Sequence, residues 1–99
     1  MEKKCHIVSI EEHNKNKKEL MIRLNKIEGQ VRGIKKMIEE DIYCDEVLNQ
    51  LSSVKSALNG LSKVLLERHI NTCVIEKIKN DDTEVVKELL NTINKILKI

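Results

Sequence analysis

No proline occurs in this 99-residue chain, glycine only three times, phenylalanine and tryptophan not at all, and Tyr43 is the single aromatic residue. Without proline no helix is obliged to break, and so few glycines argue against a protein built on tight turns. The expected fold class is therefore all-α. A chain of this size buries about two thirds of its unfolded surface, and without large aromatic side chains its core is thin. Self-association is the natural remedy. A single tyrosine argues against stacking bases on aromatic platforms. No apolar run approaches the ~20 residues that span a bilayer, and the N-terminus lacks the apolar stretch of a signal peptide. A cytoplasmic protein with no membrane partner is expected, and in that reducing compartment cysteines read as ligands, reactive thiols or small hydrophobes before disulfides.

What is present is a helical pattern. Residues 1–13 carry Cys5, His6 and His13 without sustained periodicity and read as a partly disordered tail, with one helical domain over residues 14–99. Leu20, Leu24, Ile27, Val31, Ile34 and Ile38 are spaced 4, 3, 4, 3, 4, an apolar seam down a long helix that the acidic Glu39-Glu40-Asp41 ends. Val47, Leu51, Val54, Leu58, Leu61 and Leu65 repeat the same spacing, so a second long helix can lie antiparallel on the first. Asn80-Asp81-Asp82-Thr83 reads as a turn, with Asp81 and Glu84 at capping-box spacing, before a short third helix whose stripe is Val86, Leu89, Ile93 and Ile96.

The net charge is only +2, but residues 14–36 hold eight basic side chains against Glu19 and Glu28. A lone basic run is more often a solvated helix face. Duplicated in an oligomer, Lys18, Lys26, Arg32, Lys35 and Lys36 form a patch able to follow duplex phosphates.

The chemistry is concentrated in Cys44, His69 and Cys73. His69 and Cys73 stand four residues apart in a helical segment, so they share one face. Two thiols and an imidazole form a soft three-ligand set suited to Cu(I), which Zn(II), preferring four ligands, would use poorly. If residues 45–73 are one helix, Cys44 lies roughly 40 Å from Cys73. A second, antiparallel copy closes that gap, so the spacing predicts a metal site shared by two protomers. The midpoint falls near Ala57 and Leu58, and the small residues Ser56, Ala57 and Gly60 mark the expected dimer axis.

The segment from Arg23 to Ile34, Arg-Leu-Asn-Lys-Ile-Glu-Gly-Gln-Val-Arg-Gly-Ile, followed by Tyr43-Cys44 and His69-x-x-x-Cys73, strongly resembles the copper-sensitive operon repressor family over about residues 18–97. The resemblance implies three-helix protomers forming antiparallel dimers and dimer-of-dimers tetramers. It further implies a repressor that binds operator DNA without a helix-turn-helix and releases it on binding inducer. Cu(I) sensors of the family carry Cys, His and Cys where this chain has Cys44, His69 and Cys73. Nickel and cobalt sensors replace the last Cys with His and add an N-terminal His, while persulfide sensors lack the central His. By the same resemblance Tyr43 and Glu88 hydrogen-bond around the His ligand, although the turn before the third helix is one residue shorter than in some relatives. Arg23 and Lys63 belong by resemblance to the DNA-contacting surface, and the regulated genes would be those of copper efflux.

Two other readings use the same residues. A copper-buffering protein would keep the three ligands and ignore DNA, which the basic first helix argues against. A persulfide or thiol-redox repressor would pair Cys44 with Cys73 and leave His69 without a role. No enzyme is expected, since Cys44 has no base nearby in sequence and a helical frame offers no evident oxyanion hole.

Overall fold

The computed structural model describes residues 10–98, and among them it is helical with no strand. Helix α1 spans Ile10–Glu39, α2 spans Cys44–His69, a π-helical turn covers Ile70–Val74, α3 spans Ile75–Lys79 and α4 spans Glu84–Leu97. The expected all-α class with two long helices and one shorter C-terminal helix holds, the third expected helix being α4.

Helix α1 begins at Ile10, four residues ahead of the expected start at Asn14. Residues 11–13 carry no apolar side chain and so no apolar rhythm, yet Glu11 and Glu12 suit the electropositive first turn and carry the helix to its start. Residues 1–9 of the expected tail lie outside the described residues.

Both interhelical turns use one device. Asp41 and Asp81 adopt left-handed backbone, with φ of 55° and 63°. At the end of α1 the Ile42 N–H donates to Met37 O (3.0 Å) and the Asp41 N–H to Ile38 O (3.2 Å). At the end of α3 the Asp82 N–H donates to Lys77 O (2.8 Å) and the Asp81 N–H to Ile78 O (3.0 Å). Each pair is a Schellman motif, which occupies carbonyls that would otherwise end the helix unbonded. The capping box expected of Asp81 and Glu84 does not form: Thr83 is the N-cap of α4 and makes no side-chain capping bond. Asp81 is committed to the C-terminal end of the preceding helix and cannot also cap the next.

The chain divides into two compact units. In the unit Asn14–Lys63, Ile27, Ile34 and Val54 form the buried core, with Val47 and Ala57 packed against it. Every second member of each seam is buried or half-buried, while Leu24, Val31, Ile38, Leu51 and Leu58 stay exposed, Ile38 at 60%. A helix pair can turn only one edge of each apolar seam inward, so the other edge remains uncovered. In the unit containing Val64–Ile99, α4 packs on the π turn and on α3, burying Cys73, Val74 and Val85. The α4 stripe is centred on Val85 and not on the expected Val86, which is 40% exposed. Val85 lies four residues before Leu89 and shares its row along the helix.

Ile34→Ala should lower the unfolding free energy by about 2–5 kcal/mol, the cost of an emptied core position, as read by urea denaturation. Asp81→Gly removes the steric cost of a left-handed non-glycine residue and should raise the melting temperature, by a stability gain of up to about 1 kcal/mol.

Candidate metal and DNA sites

Cys44 is the first residue of α2 and His69 its last. The Tyr43 carbonyl accepts the N–H groups of Glu46 (3.0 Å) and Val47 (3.3 Å), so Tyr43 starts the helix through its backbone while its side chain stays exposed at 73%. That start leaves the Cys44 thiol free and exposed.

At the other end, α2 runs without a backbone break into the π turn, His69 (φ −60°, ψ −45°) and Val74 (φ −67°, ψ −48°) both being right-handed helical. A π turn bonds i to i+5 and is wider than an α turn, so four residues fall slightly short of a full revolution where in α register they overshoot one. His69 and Cys73 therefore leave the same side of the helix in either register. His69 is half-buried and Cys73 is buried at 5% exposure. The π turn was not foreseen: its signature is a hydrogen-bond shift, and apolar spacing of 4, 3, 4 does not register one extra residue in a turn.

Cys73 is disulfide-bonded in this structure, a state not expected from the sequence. A ligand role for it would require reduction. Beside it, the Thr72 Oγ1 donates to Arg68 O at 2.7 Å and lies 3.5 Å from the Cys73 Sγ. Glu88, on α4, is exposed, and its backbone carbonyl accepts a hydrogen bond from Thr92 Oγ1 at 3.0 Å. Among the described residues no three His, Cys, Asp or Glu side chains converge as a metal site. The donor types nevertheless fit Cu(I): thiolate and imidazole are the soft and borderline ligands it prefers.

The proposed DNA-contacting side chains Lys18, Arg23, Lys26, Arg32, Lys35, Lys36 and Lys63 are all exposed. Arg32 pairs with Glu28 and Lys36 with Glu40, each at 3.8 Å between solvated side chains four residues apart. Such pairs contribute only a few tenths of a kcal/mol and yield readily to a phosphate. Arg23 and Lys26 flank an open groove of about 920 Å³ that Ile27, Gly29, Gln30, Ser56, Ala57 and Gly60 also line. A Cβ added at Gly60 would lie 3.7 Å from the Arg23 Nη1, an ordinary contact.

The description of the family whose model matches residues 16–95 is metal-sensitive transcriptional repressor. The chain is 43% identical over 86 residues to the copper-sensing transcriptional repressor CsoR of Bacillus subtilis (strain 168), covering 86% of this chain and 85% of that protein. Its fold is similar to the crystal structure of the copper-sensing repressor CsoR with Cu(I) from Geobacillus thermodenitrificans NG80-2, with a TM-score of 0.80, 39% identity and coverage of 95% and 96% of the two chains. It is also similar to the nickel-responsive transcriptional regulator InrS, at a TM-score of 0.69 and 29% identity over 93% of this chain and 97% of that one. With its helical frame and its matching length, this chain belongs to the metal-sensitive transcriptional repressors, a family of regulators and not of enzymes.

Proposed function

We propose that this protein is a cytoplasmic homotetrameric Cu(I)-responsive repressor whose apo form binds operator DNA and whose Cu(I) form releases it, derepressing copper-efflux genes. The observation that carries the metal assignment is the donor set itself. A free, exposed thiol opens α2, while at its far end an imidazole precedes the π turn and a second sulfur, a thiol once reduced, lies within it. A 26-residue helix separates its ends by about 38 Å, so one chain cannot gather all three ligands on one ion. An antiparallel dimer brings Cys44 of the partner subunit to His69 and Cys73. The uncovered apolar edge of Leu24, Val31, Ile38, Leu51 and Leu58 is the surface such a dimer would bury.

Cu(I), when bound, supplies a soft centre that two thiolates and one imidazole satisfy without a fourth ligand. Cys73 and His69 hold their side of the site on one turn of helix, and Glu88 is the carboxylate assigned to the second ring nitrogen of His69, fixing its tautomer. Tyr43, next to Cys44, is assigned to the same surroundings. Ligation ties the end of one α2 to the start of its partner, and rigid helices carry the shift to Arg23, Lys63 and the α1 lysines. Such coupling is typically about 1–3 kcal/mol per ligand and is reciprocal, so operator DNA must weaken Cu(I) binding to the same degree. His69, which a persulfide or redox repressor leaves without a role, favours this reading over that one. The basic face of α1 favours it over a copper buffer.

The test is an anaerobic titration of the reduced protein on operator DNA with Cu(I), Ni(II), Zn(II) and a persulfide donor in separate arms. Release by Cu(I) alone is expected; release by persulfide alone would overturn the assignment. Cys44→Ala and Cys73→Ala should keep DNA binding and lose Cu(I)-driven release, and affinity for DNA should fall with salt at a log-log slope of about −0.9 per neutralised phosphate.

Gly60→Ala tests the dimer axis. Since the chain's own packing tolerates a methyl group there, the substitution should favour the helix by about 1 kcal/mol while weakening self-association in sedimentation equilibrium. Unchanged association would place the crossing elsewhere.

A further inference from the structure

We infer that Thr72 is a positioning residue for Cys73, using its hydroxyl to hold the sulfur in the orientation that ligation requires. The inference rests on Cys73 being a Cu(I) ligand. Thr72 sits inside the π turn, half-buried, next to the most enclosed of the three ligands. Its Oγ1 is anchored on the backbone side by the 2.7 Å bond to Arg68 O and touches the Cys73 Sγ at 3.5 Å on the other. A β-branched side chain bonded back to the carbonyl four residues earlier has little rotamer freedom left, so the hydroxyl is set in place before any ligand arrives. Thr92, which bonds back to Glu88 O at 3.0 Å on α4, shows the same local geometry without a sulfur beside it.

A hydroxyl has one proton to donate and two lone pairs. With Cys73 in a disulfide the sulfur is a weak acceptor, and the short bond to Arg68 O holds the proton. With Cys73 as a metal-bound thiolate the sulfur carries charge, and charge-assisted hydrogen bonds are about twice as strong as neutral ones. The Thr72 proton is then shared between Arg68 O and the Cys73 Sγ, a three-centre bond that keeps the backbone anchor in place. A donor on a ligating sulfur acts as a carboxylate does on a ligating imidazole: it sets the direction of the lone pair that meets the metal.

The test compares the wild type with Thr72→Val, which keeps the shape and removes the hydroxyl, and Thr72→Ser, which keeps the hydroxyl. All are fully reduced and handled anaerobically, with Cys73→Ala as the reference lacking the ligand. Cu(I) affinity is read by competition with a chromophoric chelator, the Cu–S distance by X-ray absorption, and helix content by circular dichroism. Thr72→Val should bind Cu(I) about tenfold more weakly, with an altered Cu–S distance and unchanged helix content, and Thr72→Ser should restore both metal readouts. Wild-type affinity in Thr72→Val, or equal loss in Val and Ser variants, would overturn the role of the hydroxyl while leaving the metal site standing. Equal Cu(I) binding by wild type and Cys73→Ala would instead remove Cys73 from the site, and the inference with it. If the Val variant loses helix content, Thr72→Ala takes its place and the same comparison with Ser decides.

Discussion

A pair of helices can turn only one edge of each apolar seam inward, and the remaining organisation follows from that limit. Ile27, Ile34 and Val54 enclose one another, while Leu24, Val31, Ile38, Leu51 and Leu58, interleaved with them at the same helical spacing, face outward. Phenylalanine and tryptophan are absent and the one tyrosine, Tyr43, is itself exposed, so no aromatic side chain covers that edge. The proposed association with a second copy would therefore serve the packing as well as the function. The proposed shared metal site uses the same arrangement, because part of the uncovered apolar edge runs along the helix whose two ends carry the proposed ligands.

The C-terminal segment shows how the chain builds local precision without a large core. Helix α4 covers the π turn and α3, so Cys73 is enclosed while His69, four residues earlier, remains half in solvent. Cys44 meets the opposite circumstances, exposed at the first residue of a helix begun by the Tyr43 carbonyl. One sulfur is held and one is offered, which suits the proposed site completed on assembly. The two Schellman turns at Asp41 and Asp81 fix where helices stop, and so where the next may begin, with aspartate standing where glycine is commoner.

Much of this was legible in the residues. The 4, 3, 4 spacings gave both long helices, because a period of 3.6 is a direct consequence of helix geometry. The acidic break at Glu39-Glu40-Asp41 fell where α1 ends. The expected start of α1 falls late because apolar rhythm reports burial, and residues 11–13 are helical without being buried. The role of Asp81 was misplaced because side-chain type alone does not distinguish a residue that begins a helix from one that ends the helix before it. The disulfide at Cys73 and the Thr72 contact were invisible, since neither leaves a mark on spacing.

Sequence by itself determined the all-helical class, the two seams, the basic first helix, the soft donor set and membership of the family, all of which depend on residue type and period. Tertiary structure alone decided which edge of each seam is buried, that α4 turns Val85 and not Val86 inward, and that the helix carrying His69 passes through a π turn at Cys73. The physical reason is that periodicity fixes the angle of each side chain about its own helix. Which of two apolar edges faces a neighbour, and which hydrogen-bond register a turn adopts, are settled only when the packing partners compete for the same space.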